Sequence, residues 1–192
     1  VQFHCFDKNA EPHLLKRTGK IITTSAFHTA CLSAVAQLQL PDSFIGAGFL
    51  RNLIWDHLHH YWPPTPLNDV DVVYYCAADT SKQTEQQLEQ SLSQIMPDVK
   101  WQVRNQARMH VHKDHAPYGS TTEAIRHWVE TATCVGIRQE AKHDYCITAP
   151  LGLADNWSGR IRQNPAFDDT VVYNQRIKNK GWLQRWPSLK IV

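Results

Sequence analysis

Long apolar runs are missing from this 192-residue sequence: none approaches the roughly 20 residues needed to cross a bilayer, and the N-terminus carries no apolar signal core. A soluble cytoplasmic protein is the expectation. Paired cysteines are missing too. The five cysteines (Cys5, Cys31, Cys76, Cys134, Cys146) are scattered without a C-x-x-C pair, which excludes a zinc framework and reads as reduced, mostly buried thiols. An excess of one charge is absent, since the net charge is +2, and a bulk DNA-coating role is excluded with it. Repeats and low-complexity segments are also lacking. What is present is a 42% apolar chain with eleven histidines and seven tryptophans, enough to bury a core in one compact domain or one domain with a tail. Residues 1–23 read as an N-terminal extension, with no functional weight given to Val1–Glu11. Residues 24–160 read as the main domain and 161–192 as a basic helical tail packed on it.

Apolar spacing predicts a helix from Thr24 to Leu40, stopped by Pro41, and a short buried strand from Ser43 to Gly46. Gly46-Ala47-Gly48 then permits a sharp turn into a helix that runs to about His60. Leu50, Leu53, Ile54 and Leu58 form its buried stripe, with Asn52 and Asp56 on another face. A helix N-terminus offers free N–H groups to an anion, and Arg51 one turn inside it can add bidentate contacts; a surface salt bridge is the alternative for that arginine. After the proline-rich loop Pro63–Asn68, a strand spans Asp69 to Cys76. Its alternation sets Asp69 and Asp71 on one face, about 7 Å apart at Cα. Two carboxylates so close are unfavourable unless a cation or solvent compensates them, and a divalent metal is the usual compensation. A solvated strand end is the plainer alternative.

Thr80 and Gln83 suggest a capping box for a helix with the stripe Leu88, Leu92, Ile95, Met96. A strand follows, with Val99, Trp101, Val103 and Asn105 on one face, and a polar continuation through Arg108 and His110 that is rich enough in hydrogen-bonding groups to line a site. His110, His112 and His115, beside Lys113 and Asp114, read as solvated loop histidines. Ser120 and Glu123 suggest a second capping box. Strands from Thr131 to Arg138 and Tyr145 to Ala149 make a hairpin, and a last amphipathic helix spans about Asp169 to Lys180, closed by Gly181, with Trp182 and Trp186 packing back. Its basic face can meet a phosphate-bearing substrate or simply face water.

The G-x-G turn, the helix and Asn68-Asp69-Val70-Asp71-Val72-Val73-Tyr74 on a strand resemble the nucleotidyltransferase superfamily of DNA polymerase beta, and specifically a bacterial branch of it. Further blocks carry the resemblance along nearly the whole chain from Thr24: Arg51-Asn52 with Trp55-Asp56, Asn105-Gln106-Ala107-Arg108-Met109-His110, Glu130-Thr131-Ala132-Thr133, and Ala149-Pro150-Leu151-Gly152-Leu153. The resemblance implies an α+β fold, a mixed β-sheet with helices packed on it. It implies transfer of a nucleoside monophosphate from a nucleoside triphosphate to an acceptor hydroxyl on a small molecule, RNA or protein. Asp69 and Asp71 would hold Mg²⁺ or Mn²⁺, Gly46, Ala47 and Gly48 would cradle the triphosphate through backbone N–H groups, and Arg51 and Asn52 would contact it.

The sequence departs from the superfamily pattern in two places. Gly46 and Asp69 are separated by 23 positions, a long linker. The third carboxylate, usually supplied by a later strand, is replaced by Asn105, which leaves Asn105, Arg108, Glu130, Asp144 and Asp155 as candidates for a third ligand or a substrate contact. Two alternatives follow: a nucleotide-binding or regulatory protein without catalysis on the same fold, and a toxin–antitoxin-type transferase acting on tRNA or protein.

Overall fold

The computed structural model describes residues 1–5, 7–113 and 115–192. β1 (Gln2–His4) is followed by α1 (Pro12–Thr24) and α2 (Ala26–Gln37). Pro12 opens α1 where a missing N–H costs nothing, and Ser25 caps α2 by accepting from the His28 N–H. Next come β2 (Phe44–Gly46), α3 (Gly48–Leu58) and β3 (Val70–Tyr74). α4 (Lys82–Ile95) is the crossover to β4 (Trp101–Asn105). The cap of α4 is Ser81, which accepts from the Thr84 N–H, so the expected Thr80–Gln83 box does not form.

Residues Gln106–Lys113 wind as a 3-10 helix rather than a loop. His110 and His115 pack against Tyr118, whose hydroxyl lies 2.7 Å from His115 Nδ1, so these two are not simply solvated. Asp114 and the side chain of His112 lie outside the described residues. α5 (Thr121–Arg126) is capped by Ser120, while the Glu123 carboxylate accepts from the Gly119 N–H. Thr131–Thr133 is a 3-10 turn, so the expected strand from Thr131 starts later, as β5 (Gly136–Ala141), and pairs with β6 (Asp144–Thr148). The chain closes with α6 (Ala154–Trp157), β7 (Arg160–Ile161), α7 (Thr170–Lys180), α8 (Trp182–Arg185) and β8 (Lys190–Ile191).

Six strands form one mixed sheet in the order β1-β6-β5-β2-β3-β4, and β7 pairs with β8. β3 and β4 are parallel, as a helical crossover requires, and β2 is antiparallel to both its neighbours. The main core sets Ile22, Leu32, Leu50 and Ile54 of the helices against Val70, Val72, Val103, Ile137 and Ile147 of the sheet. Residues 1–23 are therefore no detached extension: β1 lies parallel to β6, and Leu14 and Ile22 of α1 are buried in that core. The buried face of α1 is Leu14, Thr18, Gly19 and Ile22, a helical period that is present in the sequence and that the reading of residues 1–23 as an extension leaves out.

A second cluster joins Trp55 of α3 to Ile161, Phe167, Tyr173, Ile177, Trp182 and Trp186. Asp56 fastens it, because Oδ1 accepts from Trp186 Nε1 at 2.8 Å while Oδ2 accepts from the N–H and hydroxyl of Thr65. The C-terminal segment is thereby held over the start of α3 and the end of the proline-rich loop. No helix among the described residues is long and apolar enough to cross a membrane.

Candidate active site

The turn between β2 and α3 does not work as the two glycines suggest. Neither takes a positive φ; Ala47 does, at φ 52° and ψ −119°. A residue with a Cβ in that region is strained by roughly 1–3 kcal/mol. Gly46 serves space instead, since a Cβ there would lie 2.7 Å from Cη2 of the Trp128 indole. The Ala47 N–H is also committed, donating to the Val135 carbonyl at 3.1 Å, so it is no part of an anion cradle. By helix geometry the N–H groups of Gly48, Phe49 and Leu50 have no partner inside α3.

At the mouth of this turn lies a small cleft of about 70 Å³ lined by Ala47, Gly48, Arg51, Asn52, Asp69 and Asp71. Asp69 stands just ahead of β3 and Asp71 within it. The other wall comes from α7 and α8: Arg176, Lys180, Trp182 and Arg185. The four-residue step from Arg176 to Lys180 puts these two on one face of the basic helix expected to meet a phosphate-bearing substrate or water, and Arg185 of α8 joins them.

Arg51 is buried, which removes the surface salt bridge from consideration. Its Nε and Nη2 donate to Asn52 Oδ1 at 3.2 and 3.0 Å, its Nη1 donates to Thr133 Oγ1 at 2.9 Å, and its guanidinium lies 4.5 Å from the Trp182 ring centre. The Thr133 hydroxyl in turn donates to Glu130 Oε2 at 2.8 Å, and Glu130 Oε1 accepts from Arg176 Nε at 2.6 Å. A buried carboxylate thus stands behind the cleft and ties the two arginines together.

The charges in front of it offset one another only in part: against the burial of the Asp71 carboxyl, Lys180, Arg51 and Arg176 pull it down, and Asp69 and Asp71 in turn support Arg51 and Lys180. Burial raises the Asp71 carboxyl above its ordinary range, and Asp69 raises it further. Burial lowers Arg51 to about 10 against the opposing pull of Glu130, and burial with the neighbouring Arg176 and Arg51 lowers Lys180. A carboxylate pair in which burial and mutual repulsion still hold Asp71 above its ordinary value suits a hard divalent cation, and crowded cations at a helix start suit a polyanion.

Four of the other candidates are elsewhere. Asn105 pairs with Tyr74 and so faces away from Asp71. Its amide is filled by bonds to Cys76, Asp79 and Ala107. Arg108 forms a buried ion pair with Glu85. Asp144 lies beside His4 at the other side of the sheet, and Asp155 accepts from Thr131 and Arg162. The residue on β4 opposite Asp71 is Gln102, whose Nε2 donates to Asp69 Oδ2 at 2.7 Å. Sequence reasoning missed Gln102 because the pairing register of β4 on β3 was not available to it.

Two larger clefts flank the central one. On the Asp69 side is a cleft of about 430 Å³ lined by Phe27, His28, Pro63, Pro64 and Pro66. On the Asp71 side is one of about 260 Å³ beneath Trp128 and Met109.

Among solved structures, the chain is similar to one described as revealing a CCA-adding enzyme head domain. The two are 30% identical with a TM-score of 0.82, covering 92% of this chain and 95% of that one. It is also similar in fold to a chain from a structure of a tRNA-processing enzyme complex, at 17% identity and a TM-score of 0.51, covering 84% of this chain and 43% of that one. No curated protein matches the sequence. The family described as Nucleotidyltransferase matches residues 33–191. Most of the chain is spanned by that match, and with the sheet and helix arrangement above it follows that the chain belongs to the nucleotidyltransferase family, within the polymerase beta-like superfamily.

Proposed function

We propose that this chain moves a nucleoside monophosphate from a nucleoside triphosphate to an acceptor hydroxyl, releasing pyrophosphate. The observation that carries this reading is the meeting, in one cleft, of a repelling carboxylate pair with buried and half-buried cations at a helix start. A triphosphate with a divalent cation relieves both excesses at once.

In this reading the N–H groups at the start of α3, with Arg51, Arg176, Lys180 and Arg185, bind the triphosphate and stabilise charge as it gathers on the departing pyrophosphate. Asn52 fixes the plane of the Arg51 guanidinium, so that little reorganisation remains when the phosphates arrive. Asp69 and Asp71 would hold Mg²⁺ or Mn²⁺, which supplies charge neutralisation and activation of the attacking oxygen when bound. The acceptor oxygen forms a bond to the α-phosphorus, the bond from that phosphorus to the bridging oxygen breaks, pyrophosphate leaves with the electron pair, and the hydroxyl proton passes to water. Gln102 holds Asp69 in place by its amide.

That same Gln102, standing where a third acid would strengthen the metal site, favours a second reading, nucleotide binding without transfer. Thermal melting with Mg²⁺ or Mn²⁺ and each nucleoside triphosphate tests both. A rise in melting temperature that disappears in the double variant Asp69→Asn, Asp71→Asn is the expected result, and no rise with any of the four triphosphates sinks both readings. Transfer of an α-phosphate label to a cell-extract component separates them: labelled product supports transfer, and binding without product supports the second reading.

A further inference from the structure

We propose that the cleft on the Trp128 side of Asp71 is the acceptor subsite, and that it takes a nucleotide unit presenting its hydroxyl to the α-phosphate. The proposal rests on the central cleft being the triphosphate site. In-line displacement places the incoming oxygen opposite the leaving pyrophosphate. Of the cations suited to pyrophosphate, Arg51, Lys180 and Arg185 line the central cleft and not the Trp128 cleft, and Arg176 is shared, so the acceptor enters from the far side of the carboxylates. Asp71, Ala47 and Arg176 line both the central cleft and the Trp128 cleft, so the two are continuous at Asp71.

The walls decide what the acceptor is. Val73, Met109 and the Trp128 indole line the slot with apolar surface beside the polar Gln106, the pattern that stacks a base. The indole is seated against the phosphate turn because Gly46 has no Cβ to displace it. The slot also has a cation that a triphosphate in the central cleft does not need. Arg104 lines it with a side chain 41% exposed, its Nη1 held by Glu89, and is placed for a phosphate belonging to the acceptor. The proline-lined cleft on the Asp69 side contrasts with this. Its charged lining beyond Asp69 is one acid, Asp98, and one base, Lys100, which suits an uncharged group such as the base of the donor. A free nucleotide and the 3′ end of an RNA share the chemistry that the slot recognises.

Both sources are tested by equilibrium binding to the full chain saturated with Mg²⁺ and a non-hydrolysable nucleoside triphosphate. The probes are the four nucleoside 5′-monophosphates and a single-stranded RNA with a free 3′ hydroxyl. Loss of one base–aromatic stack in Trp128→Leu is expected to weaken the bound probe about tenfold or more. Arg104→Gln, which gives up the partly exposed ion pair with Glu89, is expected to weaken it several-fold while keeping the wild-type affinity for the triphosphate. Monophosphate binding that responds to the variants assigns a small-nucleotide acceptor, and RNA binding that responds assigns an RNA end. The proposal is overturned if neither probe binds the loaded protein, or if Arg104→Gln weakens the triphosphate instead, which would give the slot to the donor base. A wild-type protein that does not bind triphosphate at all defeats the underlying functional reading, a result visible before either probe is added.

Discussion

Asp71 carries an unfavourable charge in the folded chain, and that makes its contribution to stability run against the usual direction for an aspartate. Its carboxyl is raised above the ordinary value of 3.8 by burial and by Asp69. The folded state therefore holds the proton more tightly than the unfolded state. Stability from this group is greatest in acid, and falls as pH rises from the ordinary value through the raised one. Asp71→Asn removes the penalty, so the metal-free variant should melt above the wild type at neutral pH, by roughly 2–4 °C for each kcal/mol recovered. The advantage should fade in acid, and Mg²⁺ with triphosphate should no longer stabilise the variant. A metal-free variant that melts below the wild type at neutral pH would show that the cations around Asp71 outweigh its burial. Ala47, strained at a positive φ beside this carboxylate, fits the same pattern of local cost at a site arranged for ligands.

Among the elements, α7 depends on a partner far from it in sequence. Arg176 is positioned by Glu130, which also orders Thr133 and through it Arg51. Glu130→Gln leaves Arg176 and Arg51 without their shared anion. A loss of roughly 2 kcal/mol is expected, below the range for a fully buried pair because Arg176 is partly exposed. Triphosphate affinity should fall with it. Denaturant unfolding and nucleotide titration check the two effects, and unchanged stability would mean that the chain of bonds is incidental.

The legible elements were those with a local signal: the turn into α3, β3 with its aspartates, and α7 ended by Gly181 in a left-handed conformation. β1, three residues long, is too short to show as structure, whereas α1 carries an amphipathic period in the sequence that the extension reading leaves out. Asn105 illustrates what alternation alone leaves undecided. Its period placed it with Trp101 and Val103, but only the pairing of Val70 with Trp101 reveals that this shared face is the buried one, opposite Asp71. Arg51 was legible as part of the site, but Arg176, Lys180 and Arg185 were visible as residues and not as neighbours of Asp69 and Asp71, since their placement comes from packing across more than a hundred positions.

On the scale of the whole molecule, two of the three apolar clusters can be set against each other. The one under the sheet includes Leu92 of α4, and the tryptophan cluster beside α3 includes Trp186, both fully buried. If the tryptophan cluster is what brings α7 and α8 over the carboxylates, damage to it should cost binding as well as stability. Trp186→Ala removes the 5.2 Å edge contact with Trp55 and the bond to Asp56, for an expected ~3–5 kcal/mol. Leu92→Ala, at ~2–5 kcal/mol, damages the other cluster at a residue that does not itself line the cleft. Measured at a temperature where both variants remain folded, triphosphate affinity should drop for Trp186→Ala and stay near wild type for Leu92→Ala. Equal affinities in the two would show that Arg176, Lys180 and Arg185 reach the triphosphate without the cluster behind them. The C-terminal segment would then be a support for the fold and not a wall of the site.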